Sequence, residues 1–264
     1  MFNDDSLTMY MVTHKNVKFI PKGRTPIFVG NGNNLQHYLS DNTKDNISNK
    51  NKNYCELTAL YWIWKNDKES KYVSIEHYRR FFMDSESIIP KVIPKEEILS
   101  LLKDGKIVVP RKQKWAMTVG EHYRNNHSTQ DFYNVFKIIK NIFPEYVKDF
   151  NYIMSGYETY LCNMVASSKD IFDRYCEWLF TILFKLEKMT DLTNRTPYQQ
   201  RAYGFMSERL FNVWLHHNIN KDNIVQLPIY YRKNNSLETL LKNEKALHNK
   251  NPYAPKLTGE GLKQ

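Results

Sequence analysis

The densest grouping of chemically capable side chains in the sequence is Glu76-His77-Tyr78-Arg79-Arg80, directly after the apolar run Tyr72 to Ile75. A guanidinium is planar and permanently charged, and its fork of N–H donors matches the oxygens of a phosphate. Two in succession, beside an imidazole that can donate to a phosphate or exchange a proton near neutrality, point to a phosphorylated ligand. Open α/β sheets bind ligands outside the carboxyl ends of their strands, and the preceding run puts the pentapeptide there. The plainer alternative is an exposed basic turn paired with surface carboxylates.

Three further groupings carry weaker signals. Thr13-His14-Lys15 closes the first apolar run, and Val29-Gly30 closes the second, so both are expected at the same ligand-facing edge. Asp45-Asn46-Ile47-Ser48, with Asn51, leads into Tyr54-Cys55-Glu56 at a helix start, where amides and carboxylates can read a base, a ribose or sugar hydroxyls. A polar loop ending in a helix cap accounts for the same composition. Arg201, Gly204 and Glu208 recur at helical spacing, so Glu208 is a candidate base or a holder of sugar hydroxyls. Ordinary intrahelical ion pairing is the alternative there.

Other chemistries find little support. There is no GxGxxG and no GxxxxGK[ST], which removes dinucleotide-fold and P-loop readings. No GxSxG elbow is present. His122 and His127 lack an HExxH or a cysteine-rich companion site, so no zinc site is assigned. The nearest approach to a metal-binding carboxylate pair is Asp84-Ser85-Glu86, more simply read as an exposed loop. Metal-independent chemistry is therefore favoured, with fixed cations neutralising a leaving diphosphate where manganese or magnesium would otherwise act.

The elements that must position these groups alternate. Leu7 to Thr13 and Pro26 to Val29 read as short buried strands, and Asn34 to Asn53 as a polar excursion that could cover a ligand. A helix follows over Cys55 to Asn66 and a strand over Tyr72 to Ile75, the order that builds a parallel sheet. Further helices are expected over Pro94 to Lys103, Ser128 to Phe143, Lys169 to Glu187 and Pro197 to His216, with strands over Lys106 to Val109, Tyr160 to Ser167 and Asn223 to Tyr231. The expected organisation is one α/β domain over residues 1–232, then a peripheral helix at Leu237 to Leu247 in a loose tail over residues 233–264.

The chain has 264 residues and a formal charge of +10, which suits acidic partners: a diphosphate, the anionic inner leaflet, or nucleic acid. Nucleic acid is disfavoured because no dense Lys/Arg stripe and no known module is present. The three cysteines sit in apolar or helical patterns without a CxxC pair and read as reduced core thiols. No stretch approaches the ~20 apolar residues of a membrane span, and the N-terminus lacks the features of a secretory signal. The expected location is the cytoplasm, with peripheral contact at the inner face of the membrane.

Several runs are similar to a known family. THK (Thr13 to Lys15), DNISNKNKNYCELTALYWIWKN (Asp45 to Asn66), HYRRFF (His77 to Phe82), Asn163-Met164, YCEWLF (Tyr175 to Phe180) and GFMSERLFNVWL (Gly204 to Leu215) resemble a domain-of-unknown-function family of capsular and exopolysaccharide glycosyltransferases, over roughly residues 8 to 218. The resemblance implies a GT-A-like nucleotide-diphospho-sugar fold, a mostly parallel sheet flanked by helices, and sugar transfer to a lipid-linked glycan. It also implies a UDP-sugar donor, with UDP-galactofuranose a candidate. By position, Thr13, His14, Lys15, Val29, Gly30, Asp45, Asn46, Ile47, Asn51, Glu56 and Tyr78 would serve the donor. His77, Arg79 and Arg80 would face the diphosphate and reaction centre, and Asn163, Met164, Arg201 and Gly204 the acceptor. Glu208, His77 and Asp131 are the candidate proton acceptors, and Glu76 is given no catalytic role. A non-catalytic nucleotide- or carbohydrate-binding protein on a degenerate transferase fold is the competing reading.

Overall fold

The computed structural model describes residues 6–84 and 91–231. Residues 233–264, with the expected peripheral helix, and the Ser85-Glu86 part of the acidic tripeptide lie outside the described residues.

The chain opens with β1 (Leu7–Thr13), β2 (Arg24–Phe28) and β3 (Leu39–Ser40). A short α1 (Asn51–Tyr54) and α2 (Leu57–Asn66) follow, then β4 (Tyr72–His77) and β5 (Arg80–Phe82). After α3 (Lys95–Lys103) come β6 (Ile107–Pro110) and β7 (Gln113–Lys114). Three helices, α4 (Val119–Asn126), α5 (Thr129–Ile142) and α6 (Val147–Ser155), precede β8 (Glu158–Thr159) and β9 (Val165–Ser168). The last part holds α7 (Lys169–Glu187), α8 (Ala202–Asn218), β10 (Ile224–Leu227) and β11 (Ile229–Tyr231).

Among the described residues nine strands form one sheet, in the order β10-β6-β9-β4-β1-β2-β3 with β5 and β11 attached beside β4. Pairings of β1 with β2 and β4, β2 with β3, and β6 with β10 are parallel. β9 runs antiparallel between β4 and β6, joining the two parallel sets. All six residues of β4 are buried, as a strand covered on both faces requires. On one side α7 buries Phe172, Tyr175, Trp178, Leu179, Ile182, Leu183 and Leu186 along a single stripe. Its start is fixed by Ser168, whose hydroxyl accepts from the Ile171 amide.

Local rules explain where the expected boundaries shift. The helix expected over Cys55 to Asn66 is broken at Cys55, whose φ of 54° leaves the helical region. The strand expected from Tyr160 begins only at Val165, because Cys162 and Asn163 take φ values of 76° and 48° and turn the chain. Pro228 divides the last strand into β10 and β11, since proline brings no amide to the ladder. α4 and α6 were not anticipated. α4 carries a capping box in which Thr118 and Glu121 satisfy each other's amides.

Candidate functional site

The dense cationic motif is a hairpin tip. His77 is the last residue of β4 and pairs with Arg80, the first of β5, so Tyr78 and Arg79 form the connecting loop. The Tyr78 amide donates to the Val12 carbonyl at 3.0 Å, which ties this tip to the carboxyl end of β1. The guanidinium of Arg79 lies 4.9 Å from the Tyr78 ring centre and the Lys15 ammonium 5.2 Å. His14 packs edge-on to the same ring.

This edge opens into a cleft of about 360 Å³. Of the residues anticipated from sequence, Thr13, His14, Val29, Asn51, Glu56, His77, Tyr78, Arg79, Arg80 and Arg201 line it. They come from the ends of β1, β2 and β4, the start of α1 and the α1–α2 break, β5 and the turn before α8. Val12, Lys52 and Cys55 also line it and were missed. Lys52 lay inside a polar Asn/Lys run with nothing to distinguish it. Cys55 is aimed here by its left-handed backbone, and its Sγ accepts from Arg201 Nε at 3.2 Å. Gly30 stands at the rim, where Asn51 packs so closely that a side chain has no room.

Behind the cleft, one two-residue turn holds three of the candidate groups. The Cys162 carbonyl accepts from His77 Nε2 at 2.6 Å, and the Cys162 amide donates to Glu208 Oε1 at 2.9 Å. The Asn163 amide donates to Glu56 Oε1 at 2.7 Å. Because Nε2 faces a carbonyl, it carries the proton in the neutral ring.

Other expected site residues do not line the cleft. Asp45 accepts from the Tyr61 hydroxyl and holds Asn66 through its backbone carbonyl. Asn46 caps its own loop through the carbonyls of Lys44 and Thr43, and Ile47 is buried core. These are the polar-loop roles that composition suggested, although no side chain caps the helical turns that follow. Met164 is wholly buried, and Gly204 serves packing: a Cβ there would sit 3.3 Å from Cys55 Sγ. Glu208 is tied to the Cys162 amide and Arg209 rather than open to the cleft. Asp131 is corrected outright as a proton acceptor. Its carboxylate is only 2% exposed and gripped by both terminal nitrogens of Arg195, and it lies outside the cleft.

The electrostatics of the cleft favour an anion. Burial and the charges of Lys15, Arg79 and Arg201 hold His14 below its ordinary range. Burial and, second, Arg80 push His77 down to about 4, so its ring is neutral at physiological pH. Burial pushes the Cys55 thiol up to about 11, so it is no thiolate nucleophile. Burial likewise raises Glu208.

A divalent ion at a diphosphate takes one or two protein carboxylates, with phosphate oxygens and water completing its shell. Among the described residues the cleft lining offers the single carboxylate of Glu56 among cationic groups. Asp84 is paired with Lys91 at 3.1 Å. Among the described residues no group of three His, Cys, Asp or Glu could hold a metal. Among the described residues the cleft thus offers one carboxylate toward a cation, and no step is routed through a metal.

A sheet of parallel sets joined by an antiparallel strand, flanked by helices and carrying its cationic cleft at the carboxyl edge of β1 and β4, is a GT-A-like α/β fold. A family model described as a domain of unknown function, DUF4422, matches residues 8–220, and the chain belongs to that family. The apo structure of WbbM, a bifunctional glycosyltransferase, superposes with a TM-score of 0.71 at 28% identity, over 87% of this chain and 46% of that chain. The chain thus spans about half the length of WbbM. No curated protein matches it. No helix among the described residues is long and apolar enough to cross a membrane.

Proposed function

We propose that this chain transfers a sugar from a nucleotide-diphosphate donor to a hydroxyl of a growing surface polysaccharide. The observation that carries this is the convergence of His14, Lys52, Arg79, Arg80 and Arg201 on one cleft at the sheet's carboxyl edge. The likeness to a bifunctional glycosyltransferase supports it. When the bond between the anomeric carbon and the diphosphate breaks, negative charge gathers on the departing oxygens. Fixed cations aimed at that position stabilise it without reorganising. Arg79 and Arg80 take this part, and the neutral His77 offers its remaining ring nitrogen to the bound donor.

The donor is a UDP-sugar, with UDP-galactofuranose the first to try, and the transferred group a hexose. The acceptor is a lipid-linked oligosaccharide of capsule or exopolysaccharide assembly, met at the inner leaflet, where the chain's +10 charge favours contact. A thermal-shift panel of UDP-, GDP- and dTDP-sugars, with and without manganese, tests this, because a ligand that binds only the folded state raises its apparent stability. A midpoint rise with UDP-sugars, followed by release of UDP in the presence of acceptor, is the expected result. Binding of polynucleotide with no response to any nucleotide sugar would sink it.

A further inference from the structure

We propose that Glu56 accepts the proton of the acceptor hydroxyl and that Asn163 is its positioning residue; this rests on the transferase reading above. Glu56 carries the one carboxylate among the described residues lining the cleft, and it shares that lining with His77, Arg79 and Arg80. The candidates drawn from sequence do not fill this role. Asp131 is locked to Arg195, Glu208 is spent on the Cys162 amide and Arg209, and His77, whose Nε2–H is held by the Cys162 carbonyl, gives its remaining nitrogen to the donor in the reading above.

Two features fix the Glu56 carboxylate. The left-handed Cys55 immediately before it breaks the helix and brings residue 56 to the cleft wall. Asn163, 3% exposed, then donates Nδ2 to Oε1 at 2.7 Å and to Ser207 Oγ at 2.9 Å. The orientation of that amide is set by chemistry, since a carboxylate can only accept and the Ser207 hydroxyl proton is committed to the Gly204 carbonyl at 2.7 Å. Oε1 is thus taken by Asn163, and Oε2 is the atom left to take a proton.

The step balances as a direct displacement. The acceptor oxygen forms a bond to the anomeric carbon as its proton passes to Glu56 Oε2. The bond from the anomeric carbon to the β-phosphate oxygen breaks, and its electron pair leaves with the diphosphate toward Arg79 and Arg80. Such a displacement inverts the anomeric configuration. The charged or titratable groups around Glu56 are Cys55 beside it, Arg201 before α8, Glu208 on α8 and Tyr175 on α7, with His77, Arg79 and Arg80 across the shared cleft lining.

The test compares wild type, Glu56→Gln, Glu56→Asp, Asn163→Gly and Arg79→Ala by UDP-sugar binding, transfer rate, product anomer and pH profile. Asn163→Gly removes the amide yet tolerates the φ of 48°. Glu56→Gln is expected to bind donor as wild type does and to lose about 10²- to 10⁴-fold in kcat. The acid limb of its pH profile disappears, and the wild-type product is inverted. Glu56→Asp keeps part of the rate. Asn163→Gly lowers kcat with little change in donor KM and moves the acid limb, which lost packing alone would not do. A wild type that transfers sugar while Glu56→Gln keeps more than a tenth of its rate, or a retained anomer, overturns the assignment alone. A wild type that neither binds nor turns over any nucleotide sugar overturns the transferase reading and this assignment with it.

Discussion

Gly30 and Asn51 meet at the rim of the cleft so closely that a Cβ on residue 30 would lie 2.7 Å from Asn51 Oδ1. Gly30 also has φ +76°, which L side chains rarely adopt. Asn51 in turn donates to the Cys55 carbonyl at 2.7 Å and to Thr58 Oγ1 at 3.0 Å, so this contact supports the break that delivers Cys55 and Glu56. Gly30→Ala is therefore expected to cost more than the ~1–2 kcal/mol of a left-handed alanine alone. Gly105→Ala is the control, at φ +73° with nothing within 4 Å of the added carbon. Urea denaturation of both variants checks this, and equal losses would show that the Asn51 contact yields freely.

Arg79→Ala should leave the fold intact, because the side chain sits on a hairpin loop and rests on the Tyr78 ring. The expected loss in kcat is about 10²- to 10³-fold, the usual effect of removing one preorganised donor to developing charge. Arg80→Ala should lose a similar factor. Steady-state kinetics with circular dichroism as a folding control decides the matter, and wild-type rates in both variants would remove the cations from the mechanism.

Asp131→Asn separates structure from chemistry. Its side chain is 2% exposed and its partner Arg195 is 19% exposed. Breaking such a pair leaves an uncompensated charge and costs about 3–5 kcal/mol when burial is full, less here because Arg195 touches solvent. Turnover per folded molecule should stay at the wild-type level. A loss of kcat in protein shown to be folded would restore Asp131 to the site.

Acid should destabilise the fold through its buried and half-buried histidines. His77 and His122 are held at about 4 and His127 at about 3, by burial first and by a neighbouring arginine second. In the unfolded chain each binds a proton near 6.5, so below that pH the unfolded state holds more protons. Their contribution is complete above about pH 6.5 and declines as pH falls toward the folded values, by at most about 1.4 kcal/mol per pH unit for each ring. His127 stacks on Phe205 at 4.3 Å, and its contact with Gln199 is long at 3.4 Å, so His127→Phe keeps the packing. Chemical denaturation between pH 7 and pH 5 should give this variant a shallower dependence than wild type, and identical slopes would contradict the assignment.

The fold was legible where local chemistry suffices. Short β-branched and aromatic runs such as Leu7–Thr13 and Tyr72–His77 are strands because they suit a buried pleated surface, and α7 shows its apolar stripe directly in its spacing. The cationic tip His77 to Arg80 was likewise visible, because two guanidiniums directly after a buried strand fall at the sheet's carboxyl edge. What sequence alone could not supply was the pairing of distant segments. Nothing near Asp131 announces Arg195, and nothing near Glu56 announces Asn163, which lies 107 residues away. The break at Cys55 and the turn at Cys162-Asn163 depend on left-handed backbone that no glycine marks. Such conformations are held by surrounding contacts rather than by residue preference. The sequence by itself therefore determined the longer strands, most of the long helices and the cations. Only tertiary structure decided which carboxylate faces those cations, because that choice rests on which side chains burial and hydrogen bonding had already claimed.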